Sequence, residues 1–84
     1  MKRITVLGST GSIGTNALKV INEKRDEFQV IGISGYSNLS LLIKQVEKFN
    51  PKYICIGKEN DAKILREKFS DKIIYCGEDG LKKM

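Results

Sequence analysis

Histidine is absent from the 84 residues, so the commonest general base and the commonest metal ligand are both missing. No apolar run approaches the roughly 18 residues that a transmembrane helix requires. The N-terminus also lacks the basic, then apolar, then small-residue order of a secretory signal. We therefore expect no membrane partner and a cytoplasmic location.

Cysteine is scarce, and its placement argues against a zinc or redox motif. Cys55 and Cys76 are the two cysteines, each inside an apolar run, with no CxxC pair and no zinc-ligand spacing. This pattern favours two buried thiols in a reducing compartment over a structural disulfide.

The charge balance is basic, but no part of the sequence concentrates it. Lysine and arginine total 15 against 10 acidic residues, which gives a net charge of +5. The lysines are scattered among acids, and no basic stripe carries interleaved aromatic residues. We interpret most of this charge as solvated helix surface and expect no nucleic-acid partner, although the excess can attract a phosphate-rich ligand.

The composition and the apolar pattern together predict an alternating α/β chain. A hydrophobic fraction of 40% and a charged fraction of 30% are typical of globular proteins. Short apolar runs that each precede a glycine predict strands at residues 4–7, 28–34, 53–56 and 73–76. Helical spacing predicts helices at residues 13–24, 39–49 and about 60–69, and the start of another from 78 to 84.

The apolar stripes also predict helix caps and buried faces. Asn38 is the predicted N-cap of the second helix, and Asn60 or Asp61 that of the third. The predicted buried residues of the first helix are Ile13, Ala17, Val20 and Ile21. Those of the second helix are Leu39, Leu42, Ile43, Val46 and Phe49, and those of the third are Ala62, Leu65 and Phe69.

The order βαβαβαβ(α) predicts a Rossmann-like parallel sheet with right-handed crossovers and helices on both faces. A complete doubly wound domain usually has about six strands, whereas this pattern supplies four. The last helical pattern is also short. We therefore predict that residues 1–84 are the N-terminal part of a dinucleotide-binding domain, with catalytic and C-terminal domains outside them.

A glycine-rich segment directly after the first predicted strand is the strongest functional signal. Residues 8–14 read Gly-Ser-Thr-Gly-Ser-Ile-Gly and open the first helix. Gly8 permits a tight turn, Gly11 lets the backbone approach a pyrophosphate, and Gly14 lets the helix pack closely on the strand. The helix N-terminus would offer its free N–H groups to the phosphates, and hydroxyl donors would come from Ser9, Thr10 and Ser12.

Other interpretations of this segment fit less well. Its spacing is GxxGxxG, so the usual GxGxxG fingerprint is met only approximately. A P-loop would need a lysine that is absent, and a nucleophile elbow would need GxSxG. A glycine turn that merely joins strand to helix is the remaining alternative.

The loop after the second predicted strand indicates which dinucleotide binds. An NAD site usually has an acidic residue about 20 positions after the glycine motif, but Ser34 is found there and no carboxylate follows in residues 35–38. This absence favours NADP over NAD. Tyr36 is either an adenine-stacking residue or an ordinary exposed tyrosine. The 2′-phosphate would depend on Ser37, local N–H groups and a nearby lysine.

Three segments resemble a known family. The first is Gly-Ser-Thr-Gly-Ser-Ile-Gly at 8–14, with Leu18 after it. The second is Ser-Gly-Tyr-Ser-Asn-Leu at 34–39, and the third is Phe-Asn-Pro-Lys-Tyr at 49–53. Together they resemble the N-terminus of the 1-deoxy-D-xylulose 5-phosphate reductoisomerases. The resemblance implies an NADPH-dependent rearrangement and reduction of that phosphorylated sugar to 2-C-methyl-D-erythritol 4-phosphate, in non-mevalonate isoprenoid biosynthesis. It also implies a divalent cation (Mg, Mn or Co) and a homodimer.

The resemblance further implies the site residues. Thr10, Gly11, Ser12 and Ile13 would contact the phosphates of the cofactor, and Ser37 and Asn38 would hold its 2′-phosphate and ribose. Tyr36 replaces a glycine and Ser37 a basic residue of many members, which puts the strength of NADP selectivity in question. The catalytic residues and metal ligands of the family lie beyond residue 84, so none is named. The 84 residues alone are therefore expected to be inactive.

The sequence supports one candidate metal-binding pair and three alternative functions less well than it supports this family. Glu78 and Asp79 are adjacent at a predicted helix start, which is typical of dipole charges and not of metal ligands. Another oxidoreductase with the same loop, such as a semialdehyde dehydrogenase, is one alternative function. A non-enzymatic nucleotide-sensing domain is a second, and nucleic-acid binding, supported only by a pI of about 9.3, is the weakest.

Overall fold

The computed structural model describes residues 1–83, in which four strands alternate with four helices. The strands are β1 (Lys2–Val6), β2 (Phe28–Gly35), β3 (Tyr53–Ile56) and β4 (Ile73–Cys76). The helices are α1 (Ser12–Glu23), α2 (Leu39–Phe49), α3 (Glu59–Lys68) and α4 (Gly77–Lys83). The last residue of the predicted final helix, Met84, lies outside the described residues.

All four strands are parallel and lie in the order β1-β2-β3-β4. Val6 is in register with Ile33, Ile33 with Ile54, and Ile54 with Ile74, so one apolar row crosses the sheet. Residues of α1, α2 and α3 pack on this row and form the core: Leu18, Ile21, Leu42, Val46, Ala62 and Leu65.

The opposite face of the sheet carries α4. Cys55 and Tyr75 are in register and alternate with the core residues, so they point to the other face. A Cβ at Gly80 of α4 would lie 2.6 Å from Cβ of Tyr75 and 3.1 Å from Sγ of Cys55, so this helix packs closely there. The predicted Rossmann-like class, with helices on both faces, is confirmed.

The predicted buried face of α1 is partly wrong. The helix buries Gly14, Leu18 and Ile21, whereas Ile13 is 86% and Val20 53% exposed. Hydrophobicity alone does not determine which side of α1 is buried, because the close packing of Gly14 on the preceding loop fixes the rotation of the helix. That rotation turns Ile13 and Val20 toward solvent.

Of the two predicted helix N-caps, one is confirmed and one is wrong. Asn38 caps α2, since its Oδ1 accepts a hydrogen bond from the N–H of Leu41 at 3.3 Å. The N-cap of α3 is Lys58, in extended backbone, and not Asn60 or Asp61. Because the chain turns into α3 immediately after Gly57, Asp61 falls in the first turn, where a carboxylate faces the positive helix end.

The cysteines are unpaired, which excludes the disulfide alternative. Cys55 is buried as predicted, and Cys76 is only partly buried. Burial raises the pKa of the Cys55 thiol, and proximity to Cys76 raises it further. Burial, followed by the nearby Glu59, also raises the pKa of the Cys76 thiol. Neither thiol is therefore activated as a nucleophile. No helix within residues 1–83 has the length and apolar character needed to span a bilayer.

Candidate dinucleotide site

The glycine segment forms a tight turn between β1 and α1. Gly8 has a φ of 68°, in the left-handed region that glycine adopts without strain. The N–H of Gly11 donates to the carbonyl oxygen of Gly8 at 3.0 Å and closes the turn. A Cβ at Gly14 would lie 2.2 Å from that same oxygen, so only glycine fits there. The predicted tight turn at Gly8 is therefore confirmed, whereas Gly14 packs α1 against the turn at Gly8 and Ser9 and not against the strand as predicted.

The N-terminus of α1 is open toward solvent. Its N-cap, Gly11, has no side chain to cap the helix, and the first turn contains no acidic residue. Gly11, Ser12 and Ile13 are all exposed. The first N–H groups of a helix have no intrahelical acceptor and carry the positive end of the dipole. This turn is thus suited to an anion.

The end of β2 anchors the glycine turn. The N–H of Gly8 donates to Oγ of Ser34 at 2.8 Å, and the N–H of Ser9 donates to the Ser34 carbonyl oxygen at 2.7 Å. Thr10 lies over Gly35, where a Cβ would be 3.1 Å from Oγ1 of Thr10. The expectation that Ser9 adds a hydroxyl donor for a ligand is wrong, because Ser9 is fully buried and its hydroxyl is bonded inside the protein.

A second exposed loop, residues 36–38, follows β2 beside this turn. Tyr36, Ser37 and Asn38 are exposed, and α2, which begins after them, has no acidic residue in its first turn. The carbonyl oxygen of Tyr36 accepts the N–H of Gly57 at 3.1 Å. A Cβ at Gly57 would lie 3.0 Å from Cδ1 of Tyr36, so the tyrosine ring rests against this glycine.

The two loops border one crevice at the carboxyl ends of the strands. Its volume is about 470 Å³, and its lining includes Leu7, Gly8, Gly35, Tyr36, Gly57 and Leu81. Ligands of open parallel α/β sheets bind at this end of the strands. The structure therefore brings the glycine turn and the second loop, which are far apart in sequence, to the same end of the sheet, where Gly8 and Tyr36 line the crevice. Gly11, Ser12 and Ile13 line a separate groove along β1 and α1.

Glu78 is the charged residue in the lining of the crevice, and the charged groups of residues 1–83 do not form a metal centre. Arg66 bonds to Glu59 at 3.0 Å and holds the pKa of that carboxyl below its usual range. No group of three or more His, Cys, Asp or Glu side chains within residues 1–83 could hold a metal ion. These residues do not fit the divalent cation that the family resemblance implies.

Sequence reasoning missed the buried polar residue Gln45. This α2 residue is 6% exposed and bonds to Ser9, in the middle of the glycine turn. The available signal was a polar side chain inside the apolar stripe of α2, three residues after Leu42 and beside Val46. A glutamine at a core-facing helical position requires a buried partner.

Parallel strands, a glycine turn at a helix N-terminus without acidic residues and a crevice at the strand ends are typical of the dinucleotide-binding class of α/β proteins. The model of one family, described as 1-deoxy-D-xylulose 5-phosphate reductoisomerase, matches residues 4–84. The chain belongs to this family, which separates it from semialdehyde dehydrogenases, other oxidoreductases and nucleotide-sensing domains.

Individual relatives agree with the family match. The reductoisomerase of Caldanaerobacter subterraneus subsp. tengcongensis is 42% identical over 85 residues, covering 100% of this chain and 22% of the relative. The Zymomonas mobilis reductoisomerase, solved in complex with NADPH, has a TM-score of 0.88 and 30% identity, covering 98% of this chain and 22% of that one. A reductoisomerase solved in complex with NADPH, fosmidomycin and magnesium has a TM-score of 0.89 and 28% identity, and the match covers 96% of this chain and 21% of that one. The chain thus spans about 22% of the length of the curated relative.

Proposed function

We propose that residues 1–84 are the N-terminal part of the NADPH-binding domain of a 1-deoxy-D-xylulose 5-phosphate reductoisomerase. The observation that carries this proposal is the exposed glycine turn, at a helix N-terminus without acidic residues, held through Ser34 beside a second loop that also lacks acidic residues. Membership of the family and the similarity to reductoisomerases solved with NADPH support it.

The proposed contacts follow from exposure and position. Thr10, Gly11, Ser12 and Ile13 would bind the pyrophosphate, with Gly8 and Gly14 shaping the turn. Tyr36 would stack on the adenine, and Ser37 and Asn38 would bind the 2′-phosphate and ribose. Asn38 uses its Oδ1 to cap α2, which leaves its amide nitrogen for the ribose.

The whole protein would catalyse the family reaction in non-mevalonate isoprenoid biosynthesis. NADPH, when bound, supplies the hydride that reduces the rearranged aldehyde to 2-C-methyl-D-erythritol 4-phosphate. The phosphorylated sugar, the divalent cation and the homodimer contacts would engage residues outside this chain, and the protein would be cytoplasmic. The role of residues 1–84 is to bind and orient the cofactor.

Separate titrations of NADPH and NADH into the purified chain, followed by amide NMR shifts, test the proposal. We expect NADPH to bind more tightly and to shift the amides of Gly11, Ser12, Ser37 and Asn38. Amides of residues 69–72, at the opposite end of the sheet, are the internal control. A folded chain that shows no shifts with either nucleotide would overturn the proposal, and equal affinities would overturn the 2′-phosphate assignment.

Lys58 is the basic residue that we propose for the 2′-phosphate, since Ser37 carries no charge. Its neighbour Gly57 is hydrogen-bonded to Tyr36, which brings Lys58 beside the second loop. Among the ion pairs of residues 1–83, none involves Lys58. We expect Lys58→Gln to weaken NADPH binding roughly 3–10-fold, as for loss of one exposed charge contact, and to leave NADH unchanged.

A matched control for this prediction is Lys63→Gln, which removes the same charge from an exposed position on α3. Calorimetric titration of both variants with both nucleotides gives the comparison. Equal weakening of NADPH and NADH by Lys58→Gln, or equal effects of the two variants, would contradict a specific contact.

A further inference from the structure

A buried hydrogen-bonded pair connects α2 to the glycine turn. The side chain of Gln45 meets Ser9 twice: Nε2 donates to the Ser9 carbonyl oxygen at 2.8 Å, and Oε1 accepts the Ser9 hydroxyl at 2.6 Å. Ser9 is fully buried, and Gln45 is 6% exposed. Within residues 1–83, every buried side-chain polar atom has a hydrogen-bond partner.

The chemistry of the partners fixes the orientation of this amide. A backbone carbonyl can only accept, so the amide nitrogen of Gln45 must face the Ser9 carbonyl oxygen. The amide oxygen then faces the Ser9 hydroxyl, which must donate to it. Reversing the amide would place two acceptors together at 2.8 Å. The pair therefore has a single arrangement, and that arrangement holds both the backbone and the side chain of Ser9.

The hydrogen-bonded pair matters for the glycine turn because Ser9 lies in the middle of that turn. Ser9 lies between Gly8, which makes the tight turn, and Thr10, which lies over Gly35. The Ser9 carbonyl oxygen also accepts the hydroxyl of Thr15 on α1 at 3.3 Å. Gln45 is thus the contact through which α2 fixes the middle of the glycine turn that leads into α1.

The same helix also determines the position of the second loop. α2 begins directly after Asn38, the last residue of that loop, and Gln45 follows about two turns later. A rigid helix therefore connects the proposed pyrophosphate site, through Ser9, to the proposed 2′-phosphate site at Ser37 and Asn38.

We propose that Gln45 is a positioning residue that holds the glycine turn in its cofactor-binding conformation without touching the cofactor. This inference rests on the proposed function. Without the two hydrogen bonds, the turn would sample other conformations, and binding would have to restore the order of its N–H groups. Because the pyrophosphate is common to both nucleotides, NADPH and NADH would lose affinity equally.

The test compares two buried substitutions on α2. Gln45→Met keeps the length of the side chain but removes both hydrogen bonds, whereas Val46→Ala removes core packing from a neighbouring residue that is 1% exposed. Both variants are destabilised, so binding is measured at a temperature at which each is folded. We expect Gln45→Met to weaken NADPH and NADH alike, by about 10-fold, which is the range of one to two net hydrogen bonds. We expect Val46→Ala to bind both nucleotides as the parent does.

A measurement without nucleotide separates this inference from the proposed function. The amides of Ser9, Gly11 and Thr15 are hydrogen-bonded in the turn and at the start of α1. We expect their hydrogen exchange to accelerate more in Gln45→Met than in an equally destabilised Val46→Ala. Equal exchange in the two variants would overturn the role of Gln45. Absence of nucleotide binding in the parent chain, with the exchange difference intact, would overturn only the proposed function.

Discussion

Gly14→Ala is expected to lose at least about 3 kcal/mol of unfolding free energy, a large effect for the addition of one methyl group. The added Cβ would lie 2.2 Å from the Gly8 carbonyl oxygen and 2.7 Å from Cα of Ser9. Both neighbours are backbone atoms of the tight turn, so no side chain can move aside. A chain of this length has about 4–13 kcal/mol in total, so the variant should be largely unfolded in mild denaturant.

Gly11→Ala is the matched control, because it adds the same methyl group to the same loop. A Cβ at Gly11 would be 3.4 Å from the Gly8 carbonyl oxygen, and the φ of −78° suits any residue. We expect its stability to change by less than about 1 kcal/mol. Its methyl group would instead occupy the exposed surface proposed for the pyrophosphate, so NADPH affinity should fall.

Urea unfolding followed by circular dichroism at 222 nm distinguishes the two variants. The expected pattern is an early transition for Gly14→Ala and a transition close to the parent for Gly11→Ala. Similar midpoints for Gly14→Ala and the parent would show that α1 does not pack on the turn at backbone contact distance.

Ser37→Asp is expected to reduce NADPH affinity roughly 10–100-fold and to leave NADH affinity nearly unchanged. Ser37 is exposed, and neither the loop at residues 36–38 nor the first turn of α2 contains an acidic residue. A carboxylate about 5 Å from a 2′-phosphate would repel it by several kcal/mol at an effective dielectric of about 20. Solvent screening at this exposed position reduces the effect to the stated range.

Ser37→Asn is the control, since it has nearly the same shape as aspartate without the charge. Its NADPH affinity should stay within about 3-fold of the parent, as for an exposed neutral exchange. Titrations at low and high salt add a second criterion, because repulsion between exposed charges is screened by salt. Loss of NADPH and NADH affinity to the same extent in Ser37→Asp would place the 2′-phosphate elsewhere.

The elements with strong local signals were predictable from the sequence. The apolar runs that form β3 and β4 each end directly before a glycine. The structure has the predicted bounds of both strands, Tyr53–Ile56 and Ile73–Cys76. Asn38 caps α2 through a contact three residues away, which is a local interaction. The glycine turn and the acid-free second loop were also predictable, because glycine spacing and the absence of a carboxylate are properties of short segments.

The tertiary structure decided the features that depend on distant residues. The buried face of α1 follows from the contact of Gly14 with Gly8 and Ser9, not from hydrophobicity, so Ile13 and Val20 are exposed although they are apolar. The chain enters α3 directly from the strand end at Gly57, and this displaced the N-cap from Asn60 or Asp61 to Lys58.

The sequence by itself determined the alternation of strands and helices, the parallel Rossmann-like class, the glycine turn and the family. Each of these depends on residues that are neighbours along the chain, where propensity and spacing act directly. Only the tertiary structure decided that Ser9 is an internal anchor and that Gln45 and Ser34 hold it. Those hydrogen bonds join residues 25 to 36 positions apart, and a buried polar side chain reveals its partner only when the fold brings the two together.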